Sequence, residues 1–194
     1  MFLRSGRESG RDSGIGPLRS RRAAVAVLAA VAGIATVAAA PAGASTGGTS
    51  TETETTGPPG KAKLRKGKAI PPSDAPTRVV NAIEAANEIV KGKGYCLGGG
   101  HSRWKSKCYD CSGTVSYALK GARMIKRPMP SGSYTKWGRK GKGRWITVYA
   151  NGGHMYAVIA GLRLDTSMTD GAGPGWSKEM RSSQGFKKRH HRNY

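Results

Sequence analysis

Apolar residues recur at helical spacing in the segment that follows Asp74. Asp74 and Pro76 are typical of a helix start, and Gly92 and Gly94 close the segment. Between them the apolar positions fall on one face of a helix; they are Val79, Val80, Ile83, Ala86, Ile89 and Val90. The pattern predicts an amphipathic helix whose role is packing.

A second helix is predicted after the polar stretch that covers residues 109–113. The stretch contains Asp110-Cys111-Ser112-Gly113 and runs directly into an apolar-periodic segment, residues 114–119. A polar turn before such a segment marks a helix N-terminus. We therefore expect Cys111 at, or just inside, the first turn of this helix.

Three short strands are predicted in the second half of the chain. They cover residues 145–149, 154–159 and 162–165, with turns at residues 151–153 and 160–161. The segment between Gly121 and Gly143 is expected to be a basic loop. Together these elements predict an α+β domain in which an N-terminal helix and a second helix pack on a small antiparallel sheet.

The first 75 residues lack the pattern of a folded domain. Three arginines in residues 19–22 precede an Ala-rich apolar run, and small residues up to Ala44 follow it. This predicts a cleavable signal peptide over residues 1–44, exported by the Sec or the twin-arginine route, with a membrane anchor as the alternative. Residues 45–75, rich in Thr, Pro and Lys, predict a disordered linker. Residues 76–194 remain as the globular domain.

The chain is strongly basic, with a formal net charge of +22. Most of its basic residues follow residue 44, so the charge persists after removal of the leader. An exported basic chain is attracted to the anionic polymers of a cell envelope. Its basic residues stand singly in loops without an RNA-reading aromatic motif, so we do not expect nucleic-acid binding. We expect a secreted or wall-associated protein that acts as a monomer.

The chemistry of Cys111 follows from its position at a helix start. Unpaired backbone N–H groups and the positive end of the helix dipole favour the thiolate, which is the nucleophilic form of cysteine. The alternatives are a small buried cysteine that packs the helix, or one half of a disulfide. A nucleophile also needs a base, and the base needs an acceptor that fixes its orientation.

The last predicted hairpin supplies candidates for both groups. If residues 160–161 form a two-residue loop, Tyr156 opposes Asp165. Side chains alternate along a strand, so His154, Tyr156 and Asp165 then point to one face, and His154 is diagonal to Asp165. Cys111, His154 and Asp165 can therefore act as nucleophile, base and orienting group.

The other cysteines allow two interpretations. Cys96, His101, Cys108 and Cys111 could form a zinc site, since Cys108 and Cys111 have C-x-x-C spacing. The simpler expectation for an exported chain is a disulfide between Cys96 and Cys108 that leaves Cys111 free. We expect that pairing, with no metal and no cofactor.

The C-terminal end is predicted to contribute little to the site. His190 and His191 lie in a basic run, residues 187–192, that is typical of a solvated tail. A structural role is expected for the preceding residues 176–186, although the sequence does not place them.

Three motifs together resemble the NlpC-type cell-wall peptidases. They are Tyr95-Cys96-Leu97-Gly98-Gly99, Asp110-Cys111-Ser112-Gly113 and His154 at the start of an apolar strand. The resemblance covers residues 79–165, and the segment around Cys111 is its most specific part. The chain departs from the family at Leu97, where an aromatic residue is usual, and at Asp165, where the third catalytic residue is most often histidine.

The resemblance implies a papain-like fold and an exported cysteine peptidase. Such an enzyme cuts amide bonds in peptidoglycan stem peptides, typically next to diaminopimelate, without a metal. The resemblance assigns catalysis to Cys111 and His154, and we expect Asp165, from its position in the hairpin, to be the third catalytic residue. Tyr95 and Ser112 are the residues that we expect to contact the oxyanion or substrate. The alternatives are a catalytically silent wall-binding protein with the same fold, and the small zinc-binding domain.

Overall fold

The computed structural model describes residues 57–167 and 173–194. The expected signal peptide and the first part of the expected linker lie outside the described residues. In chain order the elements are β1 (Lys63–Arg65), β2 (Lys68–Ile70), α1 (Thr77–Ile89), α2 (Cys111–Gly121), α3 (Ser131–Tyr134), β3 (Arg139–Lys140), β4 (Ile146–Ala150), β5 (Met155–Ile159), β6 (Leu162–Asp165), β7 (Gly175–Ser177) and β8 (Lys187–His190).

Helices α1 and α2 pack against each other and against the sheet. The apolar face predicted for α1 is the buried one, and it includes Val79, Ile83 and Ile89. Helix α2 is buried over most of its length because it lies between α1 and the strands β5 and β6. None of the helices in the described residues is long and apolar enough to cross a membrane.

A six-stranded antiparallel sheet forms the other layer, with the strand order β3-β8-β4-β5-β6-β7. Its centre is β4 and β5, whose side chains are nearly all buried. The core lies between this sheet and the two helices. The predicted fold class, an α+β domain with two helices on an antiparallel sheet, is confirmed.

The segment before α1 is structured where a disordered linker was expected. Strands β1 and β2 form a hairpin, and the Ala62 N–H donates to the Ala160 carbonyl at 2.8 Å. The two turn residues of this hairpin, Lys66 and Gly67, both have positive φ, as a type I′ turn requires. The linker prediction is therefore wrong for residues 63–70, because Leu64 and Ala69 pack into the domain although lysines surround them.

The prediction of a solvated basic tail is also wrong, because residues 187–190 form an internal strand. Strand β8 pairs with β4 on one side and β3 on the other, and Tyr194 beyond it is buried in the core. Pairing uses the backbone, so polar side chains on the half-buried face do not prevent it. Without β8, the edge of β4 would present unpaired N–H and C=O groups. The expected loop over residues 121–143 likewise contains α3 and β3.

Deleting residues 187–194 should destabilise the domain strongly. The deletion opens the sheet between β3 and β4 and removes the buried Tyr194 ring. Loss of a large buried aromatic side chain alone costs about 3–5 kcal/mol, so we expect at least that loss in the free energy of unfolding. Denaturant unfolding followed by circular dichroism measures it, with the exposed Arg192→Gln as control. An unchanged midpoint in the deleted chain would contradict the placement of β8.

Candidate active site

Cys111 is the first residue of α2, as predicted. The preceding Asp110 is the N-cap, and its carboxylate accepts a hydrogen bond from the Gly113 N–H at 2.6 Å. This leaves Cys111 in the first turn, at the positive end of the helix dipole. Cys111 is 9% exposed, so only a small part of it is accessible to a reagent.

Asp110 also links the glycine-rich loop, residues 98–100, to the start of α2 by hydrogen bonds. Its carboxylate accepts the Gly98 N–H at 3.1 Å and the Ser112 hydroxyl at 3.0 Å. The ring nitrogen Nε2 of His101 lies 3.1 Å from the same carboxylate and 2.9 Å from the Ser112 hydroxyl. Gly113 has no room for a Cβ atom, because the loop backbone passes directly beside it. The loop backbone therefore packs directly against the start of α2.

A tight turn before β5 holds His154. The Asn151 side chain accepts the N–H groups of Gly153 and His154, and the Asn151 N–H donates to the His154 carbonyl at 2.9 Å. The Asn-Gly-Gly turn thus fixes the backbone of the histidine, and its ring extends toward β6.

The predicted register of the β5–β6 hairpin is confirmed. Ile159 pairs with Leu162 across the turn at Ala160 and Gly161, which both have positive φ. With this register, His154 and Asp165 lie on one face, and the His154 Nε2–H donates to Asp165 Oδ1 at 2.9 Å. The diagonal contact between His154 and Asp165, which was inferred from the alternation of side chains along the strands, is therefore present.

Asp165 is a buried carboxylate, 1% exposed, surrounded by donors. Burial alone would raise its pKa, but the hydrogen bonds from His154, the Ser167 N–H and Arg181, together with the charge of His154, lower the pKa of Asp165 to about 2. The Thr166 N–H adds a further hydrogen bond at 2.8 Å. The group is therefore an anion throughout the neutral range and acts only as an acceptor.

His154 lies between this anion and the cysteine. Hydrogen bonds to Asp165 and then to Cys111 raise the pKa of His154 to about 9, although partial burial works in the opposite direction. Since Nε2 is engaged by Asp165, Nδ1 is the nitrogen available to the Cys111 sulfur. At neutral pH the arrangement therefore favours an imidazolium at His154, beside the Cys111 sulfur.

The surroundings of this pair include residues that sequence reasoning missed. Phe186 meets the His154 ring edge-on at 6.3 Å between centroids and the Tyr156 ring at 5.2 Å. Arg181 donates to Asp165 Oδ2 at 3.1 Å. Residues 176–186 were expected to be structural, and no local pattern indicated that Phe186 reaches His154 or that Arg181 reaches Asp165.

Cys96 and Cys108 form a disulfide, as expected, and Cys111 is free. Two of the four ligands of the alternative zinc site are thereby used in a covalent bond. His101 bonds to Asp110 and Ser112 instead. In the described residues, no three His, Cys, Asp or Glu side chains are grouped as a metal site would need.

The two residues expected to contact oxyanion or substrate are placed differently. Ser112 is buried, and its hydroxyl is directed to Asp110 and His101 rather than to an open surface. Tyr95 is 47% exposed and has no side-chain hydrogen bond to a described residue. The oxyanion contact of Tyr95 therefore stays a prediction, and the assignment of Ser112 gains no support from its position.

Comparisons with known proteins give likenesses to solved structures. No protein-family model matches the chain, and no curated protein matches it. Among the solved structures that are similar, the P60 domain of the M. avium subspecies paratuberculosis antigen MAP1204 is 21% identical, with a TM-score of 0.42, covering 58% of this chain and 93% of that one. The peptidoglycan hydrolase RipB of Mycobacterium tuberculosis is 22% identical, with a TM-score of 0.42, covering 62% of this chain and 68% of that one.

Alkylation of Cys111 by iodoacetate should follow a bell-shaped pH profile. The rate rises as the thiolate forms and falls when His154 loses the charge that attracts the anionic reagent, at a pKa of about 9. Asp165→Asn removes the largest cause of the raised pKa, so the falling limb should move to lower pH. Mass spectrometry of samples quenched at successive times measures the alkylation rates.

Neutral iodoacetamide is the control reagent, because its reaction does not require the imidazolium charge and its profile should lack the falling limb. A falling limb that stays in place in Asp165→Asn would contradict the coupling of Asp165 to His154.

Proposed function

We propose that the chain is an exported cysteine peptidase of the NlpC type that cleaves amide bonds in peptidoglycan stem peptides. One observation carries the proposal: Cys111 at a helix start, His154 and the buried Asp165 form a connected hydrogen-bonded series. Nucleophile, base and orienting acceptor in this order are the parts that a thiol hydrolase needs.

The first step is attack of the Cys111 sulfur on the carbonyl carbon of the amide. A carbon–sulfur bond forms, and the carbonyl oxygen takes up negative charge. We assign the backbone N–H of Cys111, at the positive end of α2, and the Tyr95 hydroxyl as the donors that stabilise that charge. His154 remains protonated during attack because its pKa is about 9.

The second step breaks the carbon–nitrogen bond and releases the amine. His154 gives its proton to the leaving nitrogen, and a thioester on Cys111 remains. Water then attacks the thioester while His154 accepts a proton. The carbon–sulfur bond breaks, a carboxylic acid leaves, and the thiolate returns. Asp165 holds the imidazole in the same orientation in both steps through its bond to Nε2.

The substrate class comes from the motif resemblance around Tyr95, Cys111 and His154. The predicted leader in residues 1–44 would deliver the chain to peptidoglycan outside the cytoplasm. The basic residues that follow residue 44 would hold the mature chain to anionic envelope polymers. A silent wall-binding protein with the same fold would share the charge and the export. It would not need the connected thiol, imidazole and carboxylate.

Purified peptidoglycan should be cut by the mature chain into fragments that differ by hydrolysis of one stem-peptide bond. Cys111→Ala and His154→Ala should each lower the rate by at least about 10³-fold, because each removes a group that the reaction cannot replace. Mass analysis of the soluble fragments measures cleavage, and circular dichroism verifies that the variants fold.

His190→Ala is the matched control for His154→Ala. His190 is half-buried in β8, where its ring faces the Gly141 carbonyl away from Cys111 and His154 in the described contacts, so its removal should leave cleavage unchanged. Cleavage that survives in Cys111→Ala would exclude the proposed mechanism. Binding to peptidoglycan without cleavage by the unaltered chain would favour the silent wall-binding protein.

A further inference from the structure

The two carboxylate oxygens of Asp165 have separate sets of partners. Oδ1 accepts from His154 and from the N–H and hydroxyl of Ser167, at 2.9–3.1 Å. Oδ2 faces two guanidinium groups, with Arg181 Nη1 at 3.1 Å and Arg163 Nε at 3.8 Å. The oxygen that orients the histidine is thus distinct from the oxygen that the arginines hold.

Arg181 reaches this position from the segment between β7 and β8, residues 178–186. Its guanidinium lies 5.5 Å from the centres of both the Tyr156 and the Phe186 rings. Arg181 Nη1 also donates to the Ser167 hydroxyl at 2.7 Å, and that hydroxyl donates to Asp165 Oδ1. One guanidinium therefore contacts the carboxylate directly through Oδ2 and indirectly through Oδ1.

These contacts determine the orientation of the carboxylate plane. The terminal torsion of an aspartate side chain is broad, so contacts to one oxygen alone restrain the plane less than contacts to both oxygens. Arg181 fixes Oδ2 with a charge-assisted hydrogen bond, which is stronger than a neutral one. The two aromatic rings hold the guanidinium itself in place through cation–π contact. The carboxylate is then aimed at His154 Nε2 before any substrate binds.

We propose that Arg181 is a positioning residue for catalysis, acting through Asp165 on the orientation and protonation of His154. The catalytic part of this proposal rests on the proposed function. The effect of Arg181 on His154 can be measured without a substrate, through the alkylation of Cys111. Arg181 is not a catalytic residue, since it touches Asp165, Ser167 and the two rings.

A positioning role and a purely electrostatic role shift the titration of His154 in opposite directions. If Arg181 only added positive charge near the site, its removal would raise the pKa of His154. If Arg181 aims Asp165, its removal weakens the hydrogen bond that raises this pKa most, and the pKa falls. The titratable and charged groups that contact or influence His154 and Asp165 come from α2, β5, β6 and the 178–186 segment: Cys111, Tyr156, Arg163, Asp165 and Arg181. Tyr149 of β4 stacks on Tyr156 behind them.

The test compares Arg181→Gln, Arg181→Lys and Lys178→Gln in the mature chain. Lys178→Gln is the matched control, because it removes one positive charge from the same segment at an exposed position. For each variant the pH profile of Cys111 alkylation by iodoacetate is recorded, and kcat and KM are measured on a stem peptide that the unaltered chain cleaves. Thermal unfolding monitors the fold.

For Arg181→Gln we expect the falling limb of the alkylation profile to move down by about one pH unit, since oriented charged partners typically shift a pKa by 1–3 units. We expect kcat to fall roughly 10- to 100-fold with little change in KM, as a misplaced catalytic group costs up to about 10²-fold. Arg181→Lys keeps the charge but loses the planar fork, so it should show a smaller shift in the same direction. Lys178→Gln should match the unaltered chain.

An unshifted limb in folded Arg181→Gln, or a limb that moves to higher pH, would overturn the proposal in favour of a structural or purely electrostatic role. If Arg181→Gln does not fold, Arg181→Lys decides by the same criterion. If the unaltered chain cleaves no stem peptide, the proposed function fails, whereas the alkylation profiles still test the action of Arg181 on His154.

Discussion

The hydrogen bond between His154 and Asp165 is the interaction on which the site depends. It exists because a two-residue turn at Ala160 and Gly161 sets the register of β5 and β6, so that positions 154 and 165 share a face. A slip of one residue would turn Asp165 to the other face of the sheet. Burial of Asp165 makes the bond stronger, because water does not compete for the carboxylate. The bond then raises the pKa of His154 and prepares it for the thiol at the start of α2.

A buried carboxylate is costly unless donors surround it, and the fold supplies them from separate parts of the chain. The residues that follow β6 donate backbone N–H groups, and Arg181 arrives from the segment before β8. That segment is fixed at its far end by β8, which lies inside the sheet between β3 and β4. The basic C-terminal strand thus contributes to the site indirectly, by anchoring the segment that carries Arg181 and Phe186.

Sequence patterns predicted the parts of this arrangement that depend on local periodicity. Helix α1, the start of α2 at Cys111, the strands β4 to β6 and the His154–Asp165 contact follow from spacing and turn length. The Cys96–Cys108 pairing followed from the number of cysteines in an exported chain. The strands β1, β2 and β8 were missed because their alternating faces carry lysine and arginine, so the periodic signal of a buried strand is weak. Arg181 and Phe186 were missed because their contacts with the site are made only after the sheet forms.

Isotope-edited NMR titration of the His154 imidazole tests the central claim most directly. The mature chain with labelled histidine is titrated, and His154→Ala assigns the resonance. The account predicts a pKa of about 9 for His154, and a lower value in Asp165→Asn. A pKa near the ordinary histidine value of about 6.5 that is unchanged in Asp165→Asn would contradict it.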